Sequence, residues 1–213
     1  MKQLFLTSAI GTPGVITSIR RHLGHNRNLK TAFITTPVEV EDMTDDSWYQ
    51  ADRSALANNG FYFFDYTITS KTAEQIGKDL ADIEALYISG GNTNYLLQKS
   101  QNSGFAPFVR ELIDRGTLYI STSAGSIITG PTLPPYLWDD QKKAPNLSDY
   151  TSYNLVNFTI IPHWGSPCFR KEYLGSRIEQ IYQDPQSFLL LNDNQYVEVK
   201  DDEFRIIDVR NEK

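Results

Sequence analysis

Apolar positions along the chain come in short unbroken runs, with helix-spaced patterns between them. Runs rich in β-branched and aromatic residues at 3–9 (QLFLTSA), 30–36 (KTAFITT), 61–68 (FYFFDYTI), 85–89 (ALYIS), 117–121 (TLYIS) and 156–162 (VNFTIIP) predict strands. Helical spacing fits the segment from Gly11-Thr12-Pro13 through Leu23, then 46–58, 72–80, a stretch beginning near Thr93, 105–114 and 170–182. Alternation of this kind predicts βαβ units and a mainly parallel sheet with helices on both faces. The unbroken apolar runs agree, because a strand covered on both faces has no polar side. Three closing runs at 188–191, 195–199 and 204–209 are separated by Asn192-Asp193-Asn194 and Asp201-Asp202-Glu203, and read as antiparallel hairpins. The expected fold is α/β, three-layered, with short C-terminal antiparallel strands. In such sheets ligands and chemistry gather at the carboxyl ends of the strands. Candidate residues should therefore stand just after strands.

The composition narrows the classes. The chain has 213 residues, 40% hydrophobic and 22% charged, with no Pro/Gly/Ser-rich or charged linker, so residues 1–213 are expected to form one domain. The net charge is −6, and lysine and arginine are scattered apart from Arg20-Arg21, which gives no basic stripe for nucleic acid. No apolar run reaches membrane length, and the single cysteine, Cys168, excludes an internal disulfide; cytoplasm is the expected compartment. One cysteine and three histidines leave no cluster with metal-ligand spacing. Neither G-x-G-x-x-G nor a P-loop lysine is present, so no cofactor is expected. Aromatics such as Trp48 and Tyr49 leave a homodimer surface open.

The most informative stretch is Leu118-Tyr119-Ile120-Ser121-Thr122-Ser123-Ala124-Gly125-Ser126. A strand runs into Ser-x-Ser-x-Gly and on into a segment that can be helical, the context of a nucleophile elbow. The sharp turn lifts Ser123 clear of the sheet, and small neighbours are needed where the backbone crowds itself. The following helix N-terminus would offer amide N–H groups and the positive end of a dipole to an oxyanion. Ser121 stands where a first glycine is usual. A plain polar βα turn uses the same residue types, so the histidines carry weight. His22 and His25 fall among Arg20, Arg21 and Arg27, a solvated basic setting. His163 ends the run 156–162, at the edge where Ser123 should also lie. A serine hydroxyl needs a neighbouring base, and imidazole titrates in the right range.

A second small-residue turn, Ser89-Gly90-Gly91-Asn92-Thr93, follows the fourth strand at the same end. Its backbone N–H groups could complete an oxyanion hole with that of Ala124, or bind another anion.

Together Ser-Gly-Gly-Asn-Thr-Asn-Tyr-Leu-Leu (89–97), Ser-Thr-Ser-Ala-Gly-Ser (121–126) and Ile-Pro-His-Trp (161–164) resemble the peptidase E, or aspartyl dipeptidase, family, to which cyanophycinases are more distantly related. Order and spacing match over nearly the whole chain. The resemblance implies a fold like that of class I glutamine amidotransferases, with serine in place of cysteine at the elbow. It implies hydrolysis of a short peptide through an acyl-enzyme. Ser123 would attack, His163 would act as base, and the amides of Gly91 and Ala124 would hold the oxyanion, with Asn92 and Thr93 lining the substrate site. In the family an acidic residue follows the late strand. Asp193 matches that place, where relatives often carry Glu; Asp139 and Asp140 are the other candidates to orient His163.

One departure bears on substrate. Aspartyl dipeptidases carry an arginine in the helix after the histidine to bind the substrate's β-carboxylate, where a guanidinium fork suits a planar anion. Here that helix reads Phe169-Arg170-Lys171-Glu172-Tyr173-Leu174-Gly175-Ser176-Arg177. The specificity position falls on Leu174, Arg177 matches a different family arginine, and Arg170 could substitute from another turn. Two alternatives to a peptidase stand: an esterase-like acyl hydrolase, whose Ser…Asp…His order Asp139 would satisfy, and an inactive binding relative. Cys168 is a weaker candidate nucleophile, close to His163 but without an elbow.

Overall fold

The computed structural model describes residues 1–24, 28–136 and 141–212. Its strands are β1 (Gln3–Thr7), β2 (Leu29–Ile34), β3 (Phe61–Tyr66), β4 (Ala85–Ile88), β5 (Leu118–Thr122), β6 (Thr159–Ile161), β7 (Phe188–Leu190), β8 (Gln195–Lys200) and β9 (Glu203–Asp208). Seven of them form one sheet in the order β3-β2-β4-β5-β1-β8-β9. The first five pair in parallel, while β8 runs antiparallel to both β1 and β9.

Successive side chains of the central strands enter opposite cores. Leu4, Leu6, Leu86, Ile88 and Tyr119 join one cluster, and Phe5, Tyr87 and Ile120 the other. That two-sided burial is why these strands read as unbroken apolar runs. The first cluster is covered by α3 (Ala73–Asp79), α4 (Thr93–Ser103) and α5 (Phe105–Asp114), through Ile76, Leu96, Leu97, Val109 and Leu112. The second is covered by α1 (Val15–Leu23) and α2 (Ser47–Asn58), through Val15, Ile16, Ile19 and Leu56. The layers match the expected architecture.

Three expectations are corrected. Strand β7 does not form a hairpin with β8: it pairs in parallel with β6 as a separate two-stranded sheet. The chain turns at 192–195 through a Gln195 N–H to Asn192 C=O bond and hands β8 to β1 instead. His22 is not a free solvated side chain. Its Nδ1 lies 2.6 Å from Tyr196 Oη and its Nε2 3.4 Å from Glu212. His25 and Arg27 lie outside the described residues. Tyr49 is partly buried rather than exposed, packing edge-on against buried Phe33 with ring centroids 5.5 Å apart.

Candidate active site

Three adjacent strands of the main sheet, β4, β5 and β1, deliver their carboxyl ends to one place. From β4 comes the turn 89–93, from β5 Ser123, and from β1 the Thr7-Ser8 pair.

Ser123 stands between β5 and the four-residue helix α6 (Ala124–Ile127), with φ 48° and ψ −109°. A non-glycine residue in that region is strained and persists only where its surroundings fix it. Here they do. The Ser123 N–H donates to Thr7 C=O (3.1 Å), and Ser126 Oγ donates to the same carbonyl (2.8 Å). Ser126 Oγ also meets Ser121 Oγ at 2.9 Å, so the serine in place of a first glycine is buried and paired. Gly125 is required for room: a Cβ there would lie 2.4 Å from Ile88 C=O. With α6 only one turn long, little macrodipole acts behind the elbow. The backbone N–H groups themselves must carry any anion stabilisation.

Gly91 has φ +123°, and a Cβ on it would meet Pro37 C=O at 2.4 Å. The next residue ties the turn down, its N–H donating to the same Pro37 carbonyl (2.8 Å). Asn92 Oδ1 then accepts from Tyr95 N–H (2.8 Å) and caps α4. Asn92 and Thr93 are 1% and 2% exposed. Both residues expected to line the substrate site are thus buried, Asn92 as the cap of α4. Gly90 is packed between two side chains: a Cβ on it would touch Ser123 Cβ (3.5 Å) and the indole of Trp48 (3.2 Å).

His163 follows β6, itself in a left-handed conformation with φ 60°. Its Nε2 lies 3.0 Å from Ser123 Oγ and its Nδ1 2.8 Å from Asp193 Oδ1. The tautomer protonated on Nδ1 satisfies both contacts, donating to the carboxylate and accepting from the hydroxyl. Asp193 lies just beyond β7 and is half-buried. Burial alone would raise its carboxyl, but the hydrogen bond and charge interaction with His163, together with the Ser8 hydrogen bond, hold the group below the usual carboxylate range. The other face of the imidazole is covered by Phe169, whose ring stacks at 4.6 Å and 9°.

The sequence singled out Ser123, His163 and Asp193 without showing that they meet; the structure brings them together. Asp139 and Asp140 lie outside the described residues. Arg170 opens a helical segment made of α7 (Arg170–Glu172), a π-helical turn (Tyr173–Arg177) and α8 (Ile178–Gln183), and is exposed, as is Leu174 at 61%. Arg177 is buried beside the Tyr173 ring, its guanidinium carbon 5.6 Å from the centroid. Cys168 is exposed in a 3-10 turn, away from any strand-to-helix elbow. Two residues in contact with His163, Ser8 and Phe169, were not singled out from the sequence. Ser8 follows a parallel strand and was open to the strand-end rule; Phe169 carries no local signal. Among the described residues, no group of three or more His, Cys, Asp or Glu side chains is placed to hold a metal ion. No described helix is long and apolar enough to cross a membrane.

Comparison with known proteins identifies the fold and the family. Uncharacterized peptidase Lmo0363 of Listeria monocytogenes is 33% identical over 191 residues, covering 85% of this chain and 90% of its own. Peptidase E of a Nostoc species is 29% identical over 79% of this chain and 64% of its own. A crystal structure of a candidate peptidase E protein from Listeria monocytogenes EGD-e superposes with a TM-score of 0.86 at 29% identity, covering 98% of both chains. A peptidase from an acI-B1 actinobacterium shares the fold, with a TM-score of 0.70 at 14% identity over 98% of this chain and 88% of its own. The model of peptidase family S51 matches residues 5–207, and the chain belongs to that family of peptidases.

Proposed function

We propose that this peptidase is a serine-type, dipeptidase-like enzyme that hydrolyses short peptides through an acyl-enzyme. The observation that carries this reading is the continuous contact from Ser123 Oγ to His163 Nε2 and from His163 Nδ1 to Asp193. In the first half-reaction His163 takes the Ser123 proton as Oγ attacks the scissile carbonyl. It then gives that proton to the leaving amine. Water enters by the same route in reverse and releases the acid product. Asp193 keeps the imidazole in the productive tautomer and stabilises the imidazolium that forms. The amides of Ala124 and Gly91 stand on the two turns flanking Ser123 and would receive the oxyanion.

For substrate, the reading departs from aspartyl specificity. A guanidinium fork is the natural partner of a β-carboxylate; the resemblance puts Leu174, largely exposed, at the arginine position, with Arg170 the one arginine that could substitute from another turn. Neutral N-terminal residues should therefore be accepted. The single cysteine, exposed and free, suits a reducing cytoplasm.

A dipeptide library assayed by amino-acid release tests the proposal. Wild-type enzyme should cleave neutral dipeptides, and Ser123→Ala should cleave none. Rapid cleavage of Asp-Leu with neutral dipeptides ignored would overturn the substrate assignment. Equal rates for wild type and Ser123→Ala would overturn the mechanism.

A further inference from the structure

Ser123 and its two partners come from different sheets. Ser123 ends β5 in the seven-stranded sheet, whereas His163 and Asp193 follow β6 and β7 of the two-stranded one. Holding an imidazole on a hydroxyl across that boundary needs a fixed strut. At the C-terminal end of β1, next to β5, Ser8 is fully buried. Its Oγ accepts the His163 backbone N–H at 2.7 Å and donates to Asp193 Oδ1 at 2.7 Å, the oxygen that also receives His163 Nδ1–H. Both hydrogen-bonding roles of the hydroxyl are thus used, one on each of the two residues that must face Ser123.

The strut is itself anchored. The Ser8 N–H donates to Gln195 C=O (3.4 Å), beyond Asp193 in the chain. The preceding residue, Thr7, accepts the Ser123 N–H and shares its hydroxyl with Thr122 at 2.9 Å. Thr122 Oγ1 in turn accepts the Ile10 N–H at 3.2 Å. Thr7-Ser8 therefore grips the elbow with one residue and the His163–Asp193 couple with the next. The two loops have further contacts. Trp164 N–H donates to Leu191 C=O (2.9 Å) and Tyr173 Oη to Pro162 C=O, which join the loops to each other and to the following helix. The Asp193 loop is also tied to β8 of the main sheet, where Gln195 N–H donates to Asn192 C=O (2.9 Å) and Gln195 Oε1 accepts the Asn192 N–H (3.1 Å). Ser8 adds the bonds that reach the His163 backbone and the Asp193 carboxylate themselves.

Resting on the serine-peptidase reading, we propose that Ser8 is a positioning residue of this site, holding the His163 backbone and the Asp193 carboxylate in register with Ser123. It touches neither substrate nor the reacting atoms. Its effect is on how the base is aimed.

The test is the rate of fluorophosphonate labelling of Ser123 as a function of pH, alongside kcat and KM on a dipeptide that the enzyme cleaves. Ser8→Ala should lower kcat and the labelling rate by about 10- to 100-fold, the usual consequence of removing one partner from a buried hydrogen bond, with KM little changed. A carboxylate that has lost a donor holds an imidazolium more strongly, so the acid limb of the labelling profile, which follows protonation of the base, should move to higher pH. Of the ionisable groups packed near, Tyr173 from the π-helical turn is driven upward by burial and stays neutral across that range. Ser8→Thr, which restores the hydroxyl, should recover the limb. If Ser8→Ala does not fold, Ser8→Cys, with a weak donor of similar size, carries the same expectation at smaller amplitude. Unchanged rates in a folded Ser8→Ala, or a rate loss with an unmoved acid limb, would overturn the role of Ser8. Absence of labelling in wild type would instead overturn the underlying reading.

Discussion

Ser123 and His163, whose side chains approach to 3.0 Å, are both non-glycine residues in left-handed backbone conformations, with φ of 48° and 60°. Each costs of order 1–3 kcal/mol and persists where the fold over-determines it. Ser123 is held through Thr7 C=O, and His163 through Ser8 Oγ. The two strained residues are thus fixed by consecutive residues of one strand end. Strain located on the two groups that would exchange a proton is the pattern of preorganisation, in which stability is given up to keep reacting groups aimed.

Asp193→Asn should lower kcat by about 10³-fold or more, because an amide cannot stabilise imidazolium and favours the wrong tautomer. Steady-state kinetics on any cleaved dipeptide would measure this, with circular dichroism verifying the fold. A near-wild-type rate would transfer the orienting role away from Asp193 and reopen Asp139 and Asp140.

Gly91→Ala should destabilise the protein and impair the site together. The added Cβ meets Pro37 C=O at 2.4 Å from a backbone at φ +123°, where an L side chain is strained in any case. A loss of roughly 2–4 kcal/mol is expected for a clash with backbone on top of an unfavourable φ, seen as a fall in Tm of about 5–15 °C. Unaltered Tm with full activity would mean that the turn relaxes freely and is not a rigid part of the oxyanion site.

Asp52 gives a prediction for stability against pH. It is 3% exposed in α2, accepting from Tyr87 Oη (2.7 Å) and from Gly11 N–H (2.9 Å). Burial, opposed by those two bonds, pushes its carboxyl up to about 7. An unfolded chain ionises the same group near pH 3.9. Between those values the folded state holds a proton that the unfolded state has released, so Asp52 makes stability fall as pH rises from about 4 to 7. Asp52→Asn, which stays neutral and can still bond both partners, should remove that contribution. The Tm advantage of the variant over wild type should be small at pH 4.5 and grow toward pH 7.5, where roughly 1–4 kcal/mol is at stake. A difference that does not change with pH would contradict the assignment.

The elbow and the histidine were legible in the chain because both follow local patterns. Small residues after an apolar strand announce the turn at Ser123, and His163 closes an apolar run. Two-sided burial made the central strands and their parallel pairing readable in the same way. What escaped depends on partners distant in sequence. β7 looked like half of a hairpin because only its spacing to β8 is local, while its pairing with β6 is not. The capping of α4 by Asn92, which buries a residue expected to line the substrate site, also rests on a bond that only the folded turn makes. Phe169 and Ser8 lie six residues after and 155 residues before His163, respectively, and only folding places both against it.

The central claim is that Ser123 is a nucleophile activated by His163, and intact-protein mass spectrometry after fluorophosphonate treatment addresses it most directly. A single adduct is expected on wild type, mapped to the peptide containing Ser123, absent from Ser123→Ala and strongly slowed in His163→Ala. Folded wild-type protein that takes up no adduct, or an adduct that survives in Ser123→Ala, would contradict it.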